Sequence, residues 1–228
     1  MPVYNLPDEL IFPPPLLASK EGLLAVGGDL SLKRLLLAYK LGIFPWYSEG
    51  EPILWWSPDP RLVLYPDEFK VSRSLNKVVR KATFKVTMDC AFEKVITECA
   101  RVRVENHEGT WIVAEMAQAY CRLHEAGYAH SVETWMNGSL AGGLYGVSLG
   151  KCFFGESMFT RVTNASKVAL VALVNYVKDL DFAFIDCQIA TPHLMRFGAR
   201  EISRTQYLDE LNQALIAPTL RGKWSFES

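Results

Sequence analysis

The 228-residue sequence lacks the features that define several common classes of protein. No apolar run approaches the ~18 residues that a membrane-spanning helix requires. The N-terminus has neither the basic start nor the unbroken apolar segment of a signal peptide. The five cysteines include no CxxC pair, which argues against both a disulfide framework and a zinc site. We therefore expect a cytoplasmic protein with reduced thiols.

The sequence also lacks the motifs of nucleotide hydrolysis and of the common metalloproteases. No GxxxxGK[ST] loop is present, and no HExxH motif occurs at His107, His124, His130 or His193. The formal net charge of −1 gives no overall attraction to nucleic acid, so any such binding needs a local basic surface. These patterns predict neither a metal nor a cofactor.

What the sequence does contain is enough apolar material for a substantial core, since half of its residues are hydrophobic. Residues 1–62, rich in proline, glycine and tryptophan, are predicted to form a small N-terminal α+β domain. Residues 63–228 alternate helices with an antiparallel meander and a final helix–strand–helix unit, which predicts an α+β domain built on one mixed sheet. Asn137 and Gly138 predict a tight hairpin within the meander.

One segment formally matches the nucleophile motif of serine hydrolases. Residues 146–150 read GVSLG, and an acid and a histidine follow in chain order at Asp186 and His193. That motif requires a strand, a sharp turn and then a helix, whereas the next segment, 151–159, is predicted as another strand. We interpret Ser148 as a residue near a hairpin turn, with hydrolysis as an alternative.

A stripe of positive charge is predicted on one short helix. Arg73, Lys77, Arg80 and Lys81 recur at positions i, i+4, i+7 and i+8, which lie on one helix face. No acidic residue occurs between positions 69 and 88 to pair with them. A solvated face would explain this basic stripe, and so would contacts to a phosphate backbone.

The most distinctive segment is FAFIDCQ, at 182–188. Its apolar beginning predicts a buried strand, and it ends in Asp186, Cys187 and Gln188. In a regular strand Asp186 and Gln188 share one face, while Cys187 points away and packs as a small hydrophobic residue. The carboxylate would then accept a hydrogen bond from the Gln188 amide, leaving the amide oxygen free. Capping of the following helix is the alternative role.

Several motifs together resemble the leucyl/phenylalanyl-tRNA–protein transferase family. They are FPWY (44–47), WWSPDPR (55–61), EGTW (108–111), the hairpin from GGLYGV into FFGESMF (142–159), NASK (164–167) and IDCQ (185–188). The resemblance implies a cofactor-free enzyme that transfers Leu, Phe or Met from aminoacyl-tRNA to proteins with N-terminal Arg or Lys, marking them for degradation. It also implies that the larger domain is GNAT-like.

The same resemblance assigns roles to individual residues. Gln188 would accept a hydrogen bond from the acceptor amine while Asp186 holds its amide. Trp46 and Trp111 would stack on the terminal adenosine, with Glu156 as a nearby hydrogen-bonding carboxylate. The basic stripe would bind tRNA. The apolar pocket for the amino acid would be formed by Leu144, Phe153, Met158, Leu170, Leu173 and Ile185.

Two other functions remain open at this point. A GNAT acyltransferase would use coenzyme A, but residues 161–166, RVTNAS, have neither glycine of the corresponding pyrophosphate loop. A non-catalytic RNA-binding module would bind tRNA without giving a product. The sequence indicates neither the preferred amino acid nor the oligomeric state.

Overall fold

Helices and strands alternate along the computed structural model, which describes residues 3–105 and 110–226. The strands are β1 (Tyr4–Leu6), β2 (Leu23–Gly27), β3 (Phe44–Pro45), β4 (Leu54–Trp56), β5 (Arg61–Leu64), β6 (Lys85–Met88), β7 (Ala129–Met136), β8 (Ser139–Leu149), β9 (Cys152–Thr160), β10 (Phe184–Gln188) and β11 (Arg200–Ile202). The helices are α1 (Leu32–Lys40), α2 (Arg73–Arg80), α3 (Phe92–Glu105), α4 (Ala114–Glu125), α5 (Ala165–Asp179), α6 (Pro192–Met195) and α7 (Arg204–Ala214). Within the two described ranges, none of these helices has the length and hydrophobicity needed to cross a bilayer.

The first sixty residues form a small sheet with the strand order β1-β2-β4-β3. Trp55 in β4 is fully buried, and its indole nitrogen donates to the Gly27 carbonyl at 2.9 Å. Helix α1 begins behind Ser31, whose side chain accepts a hydrogen bond from the Arg34 backbone nitrogen, as helix N-caps commonly do. This sheet fixes the position of Trp46, which follows β3 directly.

A larger mixed sheet has the strand order β11-β5-β10-β9-β8-β7-β6. The predicted hairpin is confirmed, because Met136 of β7 lies opposite Ser139 of β8. Between them Asn137 and Gly138 both have positive φ, the conformation that tight hairpin turns require. The pairing of β9 with β10 is parallel, whereas the other neighbours pair antiparallel. The mixed sheet with its flanking helices confirms the predicted α+β class.

Two apolar cores cover the two faces of the larger sheet. On one face α3 and α4 pack together with the first sheet, so that Trp55 and Phe154 belong to one cluster. On the other face α2 and α5 pack with Trp224 from the C-terminal segment. The division into 1–62 and 63–228 stays a prediction, and β5 of the larger sheet lies across its boundary.

Ser148 lies inside β8 rather than at a nucleophile elbow. It is fully buried opposite Phe153, and the chain continues through the turn at Gly150 into β9. A strand therefore follows where the hydrolase motif requires a helix, which confirms the interpretation of this segment as a hairpin turn. The hydrolase alternative is wrong.

A gap opens within the larger sheet where β9 and β10 stop pairing. The last paired residues are Phe154 and Asp186. Beyond them β9 continues to Thr160 alongside β8, whereas β10 ends at Gln188. A cavity of about 460 Å³ lies at this point and is lined by the unpaired ends of both strands.

Candidate active site

The cavity brings together residues that are far apart in the sequence. Gln188 lines it, together with every residue predicted to contact the aminoacyl-adenosine. These are Trp46, Trp111, Leu144, Phe153, Glu156, Met158, Leu170, Leu173 and Ile185. Asp186 is fully buried and is not part of the lining. His107 and the first two residues of the EGTW motif lie outside the described residues.

The apolar end of the cavity is built by two layers of the larger domain. Strands β8, β9 and β10 supply one wall through Leu144, Phe153 and Ile185, and α5 supplies Leu170 and Leu173 from above the sheet. These five side chains are at most 4% exposed, so a ligand that enters this end leaves water. Burial of an apolar group there would be favourable.

Two tryptophans also line the cavity. Trp46 is 41% exposed, although it lies beside the cavity. The indole nitrogen of Trp56 donates to the Trp46 carbonyl at 2.7 Å, and the two rings are 5.8 Å apart at an angle of 56°. These contacts hold the Trp46 backbone while leaving part of its indole uncovered. Trp111 is half-buried at the same cavity, so both rings are available for stacking with a base.

The end of β10 departs from the regular strand that the sequence predicts. Its pairing with β5 shifts register between Asp186 and Gln188, and Gln188 has a φ of +56°. The Ile189 backbone nitrogen donates to the Cys187 carbonyl at 2.7 Å, which closes a γ-turn around Gln188. The regular strand that the prediction assumed therefore ends at Asp186, and a shared face for Asp186 and Gln188 stays a prediction. Gln188 and Cys187 line the cavity, whereas Asp186 is fully buried beside it.

Asp186 is held by a buried network. Its carboxylate accepts hydrogen bonds from Arg61 Nε at 2.8 Å and Nη2 at 2.7 Å, and from the Tyr207 hydroxyl at 2.8 Å. The guanidinium lies 4.8 Å from the Phe44 ring and 4.5 Å from the Tyr207 ring, within cation–π range. The Gln188 backbone nitrogen donates to Asp186 Oδ1 at 2.9 Å, as in an Asx-turn. Contrary to the prediction, Asp186 holds the backbone of Gln188 and not its side-chain amide.

Glu156 holds the side-chain amide of Gln188. Gln188 Nε2 donates to Glu156 Oε1 at 3.2 Å. The hydroxyls of Tyr39 and Tyr120 donate to the two oxygens of the same carboxyl group at 2.8 and 2.9 Å. Burial raises the pKa of Glu156 to about 7, although both tyrosine hydrogen bonds favour the charged form. Since Glu156 engages the amide nitrogen of Gln188, the amide oxygen is the group left to meet a substrate.

Cys187 packs as the small hydrophobic residue that the sequence predicts, in the same apolar cluster as Ile185. It lines the cavity next to Gln188, where the strand ends in a turn. Burial raises the pKa of the Cys187 thiol, and its sulfur donates to the Ile185 carbonyl at 3.7 Å. A buried neutral thiol is a poor nucleophile at neutral pH.

Four residues that hold this site were not predicted from the sequence: Arg61, Tyr207, Tyr39 and Tyr120. A buried tyrosine usually needs a partner for its hydroxyl, so an apolar helix face containing a tyrosine is a weak signal for such a site. The partners, however, are remote. Tyr39 and Glu156 are 117 positions apart, and Arg61 is 125 positions from Asp186. No local pattern connects residues at that separation.

The basic stripe lies on α2 and its C-terminal cap residue, Lys81, as the helix prediction requires. Arg73, Lys77, Arg80 and Lys81 are all exposed. Leu75, on another face of the helix, is buried. Within residues 3–105 and 110–226 none of the four basic side chains forms an ion pair. Helix α2 packs against α5, the helix that helps to line the cavity.

Comparison with known proteins gives consistent matches over the whole chain. Two family models match, the leucyl/phenylalanyl-tRNA protein transferase at residues 63–212 and its N-terminal domain at 28–59. The leucyl/phenylalanyl-tRNA–protein transferase of Desulfatibacillum aliphaticivorans is 61% identical over 100% of this chain and 98% of its own length. That of Syntrophobacter fumaroxidans is 59% identical over 100% of this chain and 97% of its own length.

These matches identify the chain as an aminoacyltransferase. Within that class, it belongs to the leucyl/phenylalanyl-tRNA protein transferase family.

The similarity to solved structures is weaker. One such structure is the C-terminal domain of a putative lysylphosphatidylglycerol synthetase from Agrobacterium fabrum. The alignment covers 73% of this chain and 54% of that domain's chain, with 10% identity and a TM-score of 0.41. Another is an aminoglycoside acetyltransferase from a soil metagenome. The alignment covers 50% of this chain and 88% of the acetyltransferase chain, with 18% identity and a TM-score of 0.36.

Proposed function

We propose that the protein transfers Leu, Phe or Met from aminoacyl-tRNA to the α-amino group of proteins that begin with Arg or Lys, and so marks them for degradation. The observation that carries this proposal is one cavity with an apolar end, two tryptophans and the Gln188 amide. An aminoacyl-adenosine has the matching parts, namely an apolar side chain, a base and a reactive ester between them. A cytoplasmic location fits the five cysteines, all of which are free thiols.

The apolar end of the cavity would select the amino acid by size and shape. Its walls are the apolar side chains of Leu144, Phe153, Leu170, Leu173 and Ile185, which favour Leu, Phe and Met over polar amino acids. Leu144 and Leu173 occupy two positions of this lining, and a larger or smaller residue at either would change the available volume. A hydrophobic pocket discriminates by only ~1–3 kcal/mol per methylene, so several apolar amino acids are accepted.

The reaction needs orientation more than activation. The aminoacyl ester is already reactive, and the acceptor α-amine has an ordinary pKa of ~7.7–8.0. The Gln188 oxygen would accept a hydrogen bond from that amine and aim its lone pair at the ester carbonyl. Asp186 would act as a positioning residue through the backbone of Gln188. Together these contacts place the nucleophile beside the ester without a covalent enzyme intermediate.

The basic stripe on α2 would contact phosphates of the tRNA body. Four exposed cations on one helix face suit a phosphate backbone, and their contacts would not depend on base sequence. Each phosphate contact contributes to the salt dependence of binding, with a slope of roughly one unit of log affinity per contact. The stripe would therefore strengthen binding of tRNAs in general, while the cavity reads the amino acid.

Coenzyme A would be a poor alternative donor. Arg161, which opens the loop before α5, is engaged by Glu98 at 2.8 Å and by Glu105. The loop has no glycine, and its Asn164 already occupies a left-handed conformation, with a φ of +73°. A diphosphate would find neither a free arginine nor glycine backbone there.

One experiment separates the candidate functions. Purified protein is mixed with charged Phe-tRNA and a peptide that begins with Arg, and the peptide mass is followed. We expect a gain of one phenylalanyl residue, and none with a matched peptide whose α-amine is acetylated. Transfer from acetyl-CoA to the same peptide would favour the acyltransferase alternative. Binding of tRNA without any mass gain would favour a non-catalytic RNA-binding module.

A further inference from the structure

Glu156, Tyr39 and Tyr120 form a closed triangle of oxygen contacts at the edge of the cavity. The Tyr39 hydroxyl lies 2.8 Å from Glu156 Oε1, and the Tyr120 hydroxyl lies 2.9 Å from Glu156 Oε2. The two hydroxyls also contact each other directly. We call these three side chains the Glu156 ring. Gln188 joins it from the side, through the contact of its amide nitrogen with Oε1.

The number of protons available to the Glu156 ring depends on the charge of its carboxyl group. With an ionised carboxylate, the two tyrosine protons must serve three oxygen–oxygen contacts, so one contact has no proton. A protonated carboxyl group supplies the third proton, and each group can then donate to one neighbour and accept from the other. Such a continuous ring is mutually polarising. Taking up one proton at the carboxyl group therefore gives every contact of this geometry a proton.

Glu156 is the member of the ring that titrates near neutral pH. Burial raises the pKa of both tyrosines well above 10, so their hydroxyls keep their protons. The charged groups that act on Glu156 from neighbouring strands are Asp186, which raises its pKa, and Arg61, which lowers it. Tyr145 faces the ring from β8 and stays neutral for the same reason as the other tyrosines. No arginine or lysine donates to the Glu156 carboxyl among the described residues.

We propose that Glu156 is the proton acceptor for the acceptor amine, with Tyr39 and Tyr120 as the residues that position it. This inference rests on the proposed function. An acceptor enters as an α-ammonium, loses one proton to the Glu156 carboxylate, and becomes a neutral amine. Its nitrogen bonds to the ester carbonyl carbon, the bond from that carbon to the ribose oxygen breaks, and a second amine proton passes to that oxygen. Glu156 then releases its proton to solvent.

The placement of Gln188 agrees with this role. Its amide nitrogen donates to Glu156, so its oxygen lies one amide group away from the carboxyl. An amine held by that oxygen is within reach of Glu156, directly or through one water molecule. A neutral amide is a weak base, and it therefore orients the amine while the neighbouring carboxylate accepts the proton. The site thus divides orientation and deprotonation between two side chains.

The test is the pH dependence of single-turnover transfer by Glu156→Gln. The glutamine oxygen can still accept hydrogen bonds from Tyr39 and from Gln188, and its amide nitrogen can donate to the Tyr120 hydroxyl, but the side chain cannot take a proton. We expect transfer about fivefold slower than wild type at pH 6.5, where roughly a quarter of Glu156 is ionised and about 5% of the amine is neutral, with the difference shrinking to less than threefold at pH 9. At pH 9 the amine has lost its proton to solvent without help. Rates are taken at saturating charged tRNA, whose affinity is measured separately, so that any change in donor binding stays out of the comparison.

Two outcomes would overturn the inference. A Glu156→Gln variant with the wild-type rate at every pH would mean that the carboxyl only orients Gln188. A variant that is equally slow at pH 6.5 and pH 9, with normal donor binding, would mean that its charge matters for something other than deprotonation. A wild-type protein that transfers nothing would instead refute the proposed function.

A second pair of variants keeps the test independent of Glu156→Gln. Tyr39→Phe and Tyr120→Phe each remove a donor that stabilises the carboxylate, so the midpoint of the wild-type pH–rate profile should move up by about one pH unit. Tyr65→Phe is the matched control, because its hydroxyl donates to the Glu210 carboxylate at 2.7 Å away from the cavity. Its profile should equal that of wild type. Unshifted profiles for both ring variants would overturn the inference.

Discussion

Gln188 lies between two buried carboxyl groups that have opposite surroundings. On one side Asp186 meets a guanidinium in a two-point ion pair, with the Tyr207 hydroxyl as a further donor. On the other side Glu156 meets two tyrosine hydroxyls and an amide, none of which carries a charge. The first carboxyl holds the Gln188 backbone and the second holds its side chain.

The comparison shows how surroundings decide what a buried carboxyl can do. Arg61 holds the Asp186 carboxylate at two points, so this side chain serves to shape the strand end and accepts a hydrogen bond from the Gln188 nitrogen within the left-handed turn. Neutral donors leave the charge of Glu156 free to change near neutral pH. One side of the glutamine is therefore a rigid support, and the other is chemically adjustable.

The largest expected effect comes from removing the carboxylate of Asp186 from its ion pair with Arg61. Asp186→Asn leaves the Arg61 guanidinium buried without a counter-ion, which should lower the free energy of unfolding by about 3–5 kcal/mol. Urea unfolding measures this loss. Asp67→Asn is the matched control, because Asp67 pairs with Lys178 at an exposed position and should change stability little. If both variants were equally stable, the ion pair would not be what holds the strand end.

The pH dependence of the free energy of unfolding tests the raised pKa of Glu156. Folded Glu156 binds its proton more tightly than the unfolded chain does, because burial raises its pKa from 4.5 to about 7. Its contribution to stability is therefore full below pH 4.5 and is lost as the pH rises to about 7. The loss is at most about 3 kcal/mol, since part of the residue borders the open cavity. The free energy of unfolding is measured against pH for wild type and for Glu156→Gln, and the difference between the two curves isolates the contribution of Glu156. Parallel curves would contradict the raised pKa.

The third prediction concerns the two neighbours that line the cavity at the end of β10. Gln188→Ala should slow single-turnover transfer about 100-fold, the usual loss when one oriented hydrogen-bonding group is removed, with tRNA binding kept. Cys187→Ala should retain most of the activity, since its thiol is buried and neutral. An inactive but folded Cys187→Ala beside an active Gln188→Ala would make the thiol the reacting group and refute the assignment.

The smallest expected effect is the difference in stability loss between two tyrosine-to-phenylalanine substitutions, one beside Asp186 and one beside Glu156. Tyr207→Phe removes a hydrogen bond to a charged group, which is worth about 1.5–3 kcal/mol. Tyr120→Phe removes one from the Glu156 ring, worth about 0.5–1.5 kcal/mol where its partner is neutral. Unfolding at pH 5, where Glu156 is protonated, should show the larger loss for Tyr207→Phe. The reverse order would mean that the charges on the two sides are wrongly assigned.

Sequence patterns predicted the parts of this site that local rules control. The hairpin at Asn137 and Gly138 follows from turn preferences, and the four cations of the basic stripe follow from helix periodicity. The apolar lining and the two tryptophans came from family motifs, and the cavity contains all of them. These features need no information about remote contacts.

The sequence could not predict the conformation of Gln188. Strand periodicity assumes a regular backbone, and it placed Asp186 and Gln188 on one face. The hydrogen bond from the Gln188 nitrogen to Asp186, together with the ion pair to Arg61 from β5, favours a turn instead. A residue 125 positions away thus helps to decide where a glutamine points, and only the folded chain contains that information.

Arg61 also constrains how the chain can be recombined. It lies between the two matched segments, 28–59 and 63–212, and belongs to neither. Its side chain nevertheless anchors Asp186 from β10 and lies against Phe44 from the small sheet. A chimera that exchanges the N-terminal segment between two relatives must therefore keep this arginine matched to both neighbours. A hybrid joined on the wrong side of position 61 could fold both halves correctly and still misplace its glutamine.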